Sequence, residues 1–257
     1  MRVIITEDYK EMSLRAAKFI AREVKRKPNL VLGLAAGRSP LGTYQELIRM
    51  HKEEGLDFAQ VKTFNLDEYY GISKEHPGSF YQYMFTNFFN LVNIDPKNVF
   101  IPDGLAKDIN GHCEWYEEAI KRQGGMDLML MGIGRDGHIG FNEPGSSLGS
   151  RTRLKTLAAE TIKDCARYFR REEDVPRYAI TMGVGTIMEA RKIFLLASGR
   201  AKARILAKAL EGPITADVTA SILQLHPDLI VIADEDATAN LKRKKYHKYV
   251  EKLWLVF

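Results

Sequence analysis

Residues Met126 to Ser147 read MDLMLMGIGRDGHIGFNEPGSS, an apolar run that passes straight into glycines surrounding Asp136, His138 and Glu143. The centre of the run, Leu128 to Met131, is too short for a globular helix and is bounded by glycine, so it reads as a buried strand. In open α/β sheets, ligands and chemistry gather just past the carboxyl ends of such strands. Gly132, Gly134 and Gly137 allow a sharp turn and a close approach of backbone to a ligand. A carboxylate, an imidazole and a second carboxylate then follow within eight residues. His supplies a proton carrier near neutral pH, and flanking carboxylates can orient it and raise its pKa. Taken alone, the segment also reads as a solvated polar loop between strand and helix.

The same rhythm runs outward in both directions. Val3 to Ile5, Leu30 to Leu34, Val61 to Phe64, Val99 to Ile101, Ala179 to Met182, Ile193 to Ala197 and Leu229 to Ala233 read as further short strands. Helical patterns fill most gaps: Met12, Ala16, Phe19, Ile20 and Val24 recur at helical spacing, and a helix is expected from about Leu41 to Glu53, with Pro40 suited to its first turn. Strands alternating with amphipathic helices predict an α/β fold, an open and mainly parallel Rossmann-like sheet with helices on both faces. No repeat, low-complexity tract or linker divides the chain, so residues 1–257 are expected to form one domain. The exception to the rhythm is Gly145 to Pro176, charged on all sides and weakly periodic, where part of the chain is expected to form a mobile cover.

Composition narrows the setting. At 257 residues and 45% hydrophobic, the chain can bury a sizeable core without staples. Cys113 and Cys165 are far apart and in no metal-ligand or redox spacing, so no disulfide framework is indicated. The start MRVIITEDYKEM lacks a leader pattern, and no apolar run approaches the ~18 residues of a membrane span. A cytoplasmic protein, neither exported nor membrane-inserted, is therefore expected. Much of the formal charge of +5 lies in LKRKKYHKYVEK, Leu241 to Lys252, which reads as a solvated terminal helix. With no nucleic-acid-binding signature, no nucleic acid partner is expected, and an anionic small substrate accounts for the balance.

Two further stretches carry candidate chemistry. FNLDEYYG, Phe64 to Gly71, reads as a strand ending at the adjacent carboxylates Asp67 and Glu68. Such a pair serves catalysis, an exposed turn or a helix cap. LGLAAGRSP, Leu32 to Pro40, leads from a strand through small residues to a helix start, where main-chain N–H groups, the positive helix end and the Ser39 hydroxyl would face a phosphate. It is neither a Walker loop nor G-x-G-x-x-G, so nucleotide motifs do not apply, and an ordinary βα turn is the alternative. Lys202 and Arg167 are candidate cations for the same anion, although such residues also occur simply as surface.

In this order, LGLAAGRSP, FNLDEYYG followed by EHPGSFY, GIGRDGHIGFNEPGSSLGSRT, AITMGVGTI and ILQLHP closely resemble the glucosamine-6-phosphate deaminases, over nearly the whole chain. The block DGHIGFNEP separates the chain from 6-phosphogluconolactonases, whose corresponding loop is similar to DGHTASLFP and lacks FNEP. Non-catalytic sugar-phosphate sensing domains are a further alternative, but they normally come with a DNA-binding module. The resemblance implies conversion of glucosamine 6-phosphate and water to fructose 6-phosphate and ammonia, with no metal and no organic cofactor. It implies that His138, held by Asp136 and Glu143, moves the proton when the sugar ring opens, and that Asp67 carries a proton from C2 to C1, with Glu68 pointing elsewhere.

The resemblance also places Gly37, Arg38, Ser39, Arg167 and Lys202 at the substrate phosphate. Where family members usually have glycine-glycine-threonine or glycine-serine-threonine, this chain has Gly37, Arg38 and Ser39. Serine keeps the hydroxyl, and Arg38 is expected to point away from the phosphate because space beside Gly37 is tight. SSLGSRTRLKT, Ser146 to Thr156, resembles the loop that in regulated members binds N-acetylglucosamine 6-phosphate between subunits, with Ser147, Arg153 and Lys155 at the matching positions. A solvated basic loop is the other reading of that segment. An activated homo-oligomer, a hexamer as in regulated members, is the expectation, since shorter unregulated members are monomers.

Overall fold

The computed structural model describes residues 1–254; the last three positions of the expected domain, 255–257, lie outside the described residues. In chain order the elements are β1 (Arg2–Thr6), α1 (Tyr9–Arg26), β2 (Val31–Leu34), α2 (Arg38–Glu54), β3 (Lys62–Asn65), β4 (Asp67–Tyr70), α3 (Phe80–Asn87), β5 (Val99–Phe100), α4 (Ile109–Arg122) and β6 (Leu128–Gly132). They continue with β7 (Arg153–Thr156), α5 (Ala159–Cys165), β8 (Tyr178–Thr181), α6 (Val184–Met188), β9 (Ile193–Ala197), α7 (Ala203–Glu211), β10 (Leu229–Asp234) and α8 (Lys244–Trp254). Seven strands form one sheet in the order β1-β10-β9-β6-β2-β3-β5, parallel at every pairing.

Burial on both faces explains why these strands read as unbroken apolar runs. Along β6, Leu128 and Leu130 face a core shared with α1, α2 and α3, while Met129 and Met131 face one shared with α4, α6 and α7. β9 and β10 divide the same way, with Phe194, Leu196, Ile230 and Ile232 on the first face and Leu195, Ala197, Val231 and Ala233 on the second. The expected open α/β sheet covered on both faces is what the structure has. Helix starts follow local chemistry: Asp8 caps α1 by accepting from the Glu11 N–H at 2.8 Å, and Glu11 accepts in return from the Glu7 N–H at 2.7 Å.

The sequence reading did not include a second sheet, three antiparallel strands in the order β4-β8-β7. FNLDEYYG is accordingly corrected: β3 stops at Asn65, and Asp67 opens a new strand instead of closing the old one. Residues 145–176, outside the helical rhythm in sequence, hold β7, α5 and two 3-10 turns. Leu157, Ile162 and Val175 from this segment are buried against Tyr69 and Phe141, and Phe169 packs beside them. No helix among the described residues is long and apolar enough to cross a membrane.

Candidate active site

The loop leaving β6 folds back on itself through a hydrogen bond from the Gly134 N–H to the His138 carbonyl at 2.8 Å. Asp136 accepts from the His138 backbone N–H at 3.0 Å, and its Oδ1 also lies 2.8 Å from the ring Nδ1. Glu143 Oε2 lies 3.5 Å from the same nitrogen. Both contacts are close enough for an ion pair, with Asp136 the nearer partner. Burial pushes the His138 pKa down, but Asp136 and then Glu143 override it and raise it to about 9. For Asp136 burial pushes upward, and the imidazolium prevails, leaving it at about 2. Glu143 is itself buried, and its other oxygen accepts from the Ala158 N–H at 3.2 Å. Asp136, His138 and Glu143 each offer a donor atom within 4.8 Å of the others, a spacing a metal ion could use.

Asp67 arrives from the second sheet. Leu66 bridges the two sheets, donating to the Leu34 carbonyl at 3.0 Å and accepting from the Met182 N–H at 2.7 Å. Asp67 then pairs with Thr181 across β4 and β8. A methyl group built on Gly140, in the loop after His138, would stand 2.9 Å from Thr181 Oγ1 and 3.6 Å from Asp67 Oδ2. The carboxyl group therefore lies against the His138 loop. Burial first and the Glu68 charge second raise the Asp67 pKa to about 7, against the opposing pull of His138. Glu68 points elsewhere, as the sequence comparison implied: it accepts from the N–H groups of Tyr69, Phe80 and Tyr81 at 2.8, 2.9 and 2.8 Å, holding the start of α3. Tyr69 packs among Phe80, Phe141 and Phe169.

The start of α2 presents its first N–H groups without a side-chain cap, and its N-cap Gly37 has φ 125°, a backbone shape that favours glycine. Tyr83 and Tyr9 donate their hydroxyls to the Gly37 and Arg38 carbonyls at 2.6 and 2.8 Å, pinning the turn from behind. Ser39 Oγ faces the end of β6, where a methyl on Gly132 would meet it at 3.1 Å. Lys202 reaches the same place, donating to the Ile133 carbonyl at 2.7 Å. Burial lowers the Lys202 pKa, and the charges of Asp164 and Asp136 oppose that shift while Arg135 and Arg167 add to it. Gly37, Ser39 and Lys202 thus meet at the carboxyl ends of β2 and β6, and Arg167, whose Nε donates to the Asp164 carbonyl at 2.5 Å, lies within electrostatic reach of Lys202. Arg38 is exposed.

Of the three positions matched to an activator loop, Ser147 is exposed and its Oγ accepts from the Gly149 N–H at 3.3 Å. Arg153 and Lys155 alternate on β7 and so share one face. Arg153 already has an inward partner, donating from Nη1 to Asn142 Oδ1 at 2.9 Å. Asn142 and Thr181 are site residues that the sequence reading passed over. Asn142 stood inside the quoted FNEP block, and Thr181 is a single hydroxyl at the end of an apolar strand, a signal that period and composition give no reason to prefer.

Family membership follows from comparison. The family described as glucosamine-6-phosphate isomerases/6-phosphogluconolactonase matches residues 7–231. The chain belongs to this family. Within it, a relative named glucosamine-6-phosphate deaminase from Thermoanaerobacter pseudethanolicus is 51% identical over 239 residues, covering 93% of this chain and 94% of its own. One of the same name from Clostridium botulinum is 50% identical over 244 residues, 95% of this chain and 100% of its own. A solved structure of a monomeric glucosamine-6-phosphate deaminase superposes with a TM-score of 0.92 at 45% identity, covering 93% of this chain and 100% of that one. The motifs that carried the resemblance in sequence are therefore embedded in a family match along most of the chain.

Proposed function

We propose that this chain is a glucosamine-6-phosphate deaminase, an enzyme converting glucosamine 6-phosphate and water to fructose 6-phosphate and ammonia. The observation that carries this is a buried carboxyl group, Asp67, poised at about 7 beside the His138 loop and supplied from a separate sheet. Relatives of that name at half identity over nearly all of the chain support the same reading.

In this reading the substrate phosphate lies on the α2 N-terminus, held by the main chain at Gly37, the Ser39 hydroxyl, Lys202 and Arg167, with Arg38 turned to solvent. His138, oriented by Asp136 and Glu143, moves the proton as the ring opens to the aldehyde. Asp67 then takes the C2 proton and delivers it to C1, while the amine nitrogen loses a proton as O1 gains one, leaving a hydroxyl on C1 and an imine at C2. Water adds to that imine, and ammonia leaves as the ketone forms. A base near neutral pKa suits a group that must both accept and return a proton. C1 is reduced as C2 is oxidised by the same amount, so the redox change is internal to the substrate and the reaction requires no redox cofactor.

The reading extends to a cytoplasmic single-domain enzyme over residues 1–257, acting as a homo-oligomer, a hexamer, that N-acetylglucosamine 6-phosphate activates through Ser147, Arg153 and Lys155. The shared face of Arg153 and Lys155 on β7 supports an anion there, whereas the similar solved structure is of a monomer. The deciding experiment measures ammonia release from glucosamine 6-phosphate beside hydrolysis of 6-phosphogluconolactone. Release of ammonia without lactone hydrolysis supports the proposal; the reverse result overturns it in favour of a lactonase.

A further inference from the structure

Asn142 is fully buried, and its side chain joins three separate pieces of chain. Its Nδ2 donates to the Ile139 carbonyl at 2.9 Å within the His138 loop and to the Met182 carbonyl at 2.8 Å just past β8. Its Oδ1 accepts from Arg153 Nη1 at 2.9 Å on β7. The strand register aligns these partners with the proposed base: Asp67 stands opposite Thr181, and Thr181 stands opposite Arg153, so the three form one row across the small sheet. Side chains directly opposite one another project to the same face. Thr181 adds a parallel tie, its Oγ1 accepting from the Phe141 N–H at 3.0 Å. On the other side of the loop, Thr219 donates to the Asn142 carbonyl at 2.8 Å.

We propose that Asn142 and Arg153 are positioning residues that fix the His138 loop against the Asp67 row, so that Arg153 acts on catalysis even when no activator is bound. The inference rests on the proposed deaminase reading for its kinetic form. His138 comes from a loop off the parallel sheet and Asp67 from the antiparallel one, so no single element sets their spacing. Buried, fully partnered amides hold such spacings because a shifted loop would leave the donors and acceptor unpaired. Arg153 gives its other short contact to the Arg151 carbonyl at 3.2 Å, which keeps the guanidinium in place behind the loop.

The test uses Asn142→Ala, Arg153→Met and Arg153→Lys in the full chain, assayed without N-acetylglucosamine 6-phosphate. Misplacement of reacting groups by about 1 Å costs ~10²-fold in rate. The expected result is a fall in kcat of roughly that size for Asn142→Ala and a smaller one for Arg153→Met, with KM within about twofold. Arg153→Lys, which keeps a donor, is expected to recover most of the loss. Titration of the His138 ring by NMR supplies a readout independent of turnover, and its pKa is expected to move in Asn142→Ala and Arg153→Met while remaining near wild type in Arg153→Lys. Should Asn142→Ala not fold, the two Arg153 variants carry the test alone. An unchanged kcat and unchanged ring titration in Arg153→Met would overturn the proposal, as would a change confined to KM. If the wild-type protein releases no ammonia, the deaminase reading fails, while the ring titration still decides whether the loop depends on Arg153.

Discussion

The imidazole of His138 lies against the α-carbon of Gly134: a methyl group there would stand 2.5 Å from both Nδ1 and Cε1 of the ring. Gly134 also donates its N–H to the His138 carbonyl, so one residue fixes both the backbone and the ring plane. Gly134→Ala is expected to push the ring off its two carboxylates. The loss should appear as a fall in kcat of ~10²-fold with little change in KM, and overpacking should cost roughly 1–3 kcal/mol of stability. Steady-state kinetics and a thermal melt check it; full activity would show that the ring has room to move.

In the proposed reaction Asp67 must be ionised to accept the C2 proton, and its pKa is raised to about 7, so kcat/KM is expected to drop on the acid side of neutrality, about tenfold per pH unit well below that value. Asp67→Asn should abolish turnover while leaving the fold intact. An acid limb centred near 4, the ordinary carboxylate value, would contradict the burial argument.

The same shift has a stability consequence of definite sign. The folded pKa of Asp67 lies above the unfolded value, so the native state holds the extra proton between about 4 and 7. Its stabilising contribution is complete below the unfolded pKa and is lost as pH rises through about 7. Asp67→Asn, which cannot ionise, is therefore expected to melt higher than wild type at pH 8 and to lose that advantage at pH 4. Parallel melting curves at both pH values for the two proteins would count against it.

His138 should titrate near 9 by NMR, apart from His112 and His247, whose pKa values burial lowers. Removing either anion should bring it down, Asp136→Asn more than Glu143→Gln, in the order of their pull. Equal titration in all three proteins would mean that the carboxylates do not act on the ring.

Lys202→Met is expected to raise KM strongly, since the half-buried ammonium sits at the Ile133 carbonyl, one residue past the Gly132 that Ser39 faces, whereas Arg38→Gly should change KM by less than about threefold because Arg38 is exposed. A large KM increase in Arg38→Gly would place that guanidinium on the phosphate after all. Regulation is checked separately. N-acetylglucosamine 6-phosphate should lower the half-saturating substrate concentration, and sedimentation should report an oligomer; hyperbolic, unresponsive kinetics from a monomer would remove that part of the proposal.

The parallel sheet was legible because burial on both faces forces runs such as Leu128 to Met131 and Ile193 to Ala197. The antiparallel sheet was not. β7 reads Arg-Leu-Lys-Thr and β4 Asp-Glu-Tyr-Tyr, four residues each with charge in them, and only pairing with β8 makes them strands. That is why Asp67 was expected at the end of one strand and found at the start of another. Motifs identified Asp67, Asp136, His138 and Glu143 as candidates, but the roles of Asn142 and Thr181 depend on contacts between segments about 40 positions apart, and nothing in a local window carries those.

Since Asp67 and His138 hang from different sheets, mutations that repack the large hydrophobic layers away from Ile133 and Ile139, the core residues of the His138 loop, can leave the gap between the two proposed proton carriers untouched. Conversely, drift in a short charged strand far along the chain can detune the chemistry without lowering the melting point. Sequence divergence in this scaffold should therefore be tolerated unevenly: lenient where side chains fill volume, strict where three brief strands set the stride of a single proton.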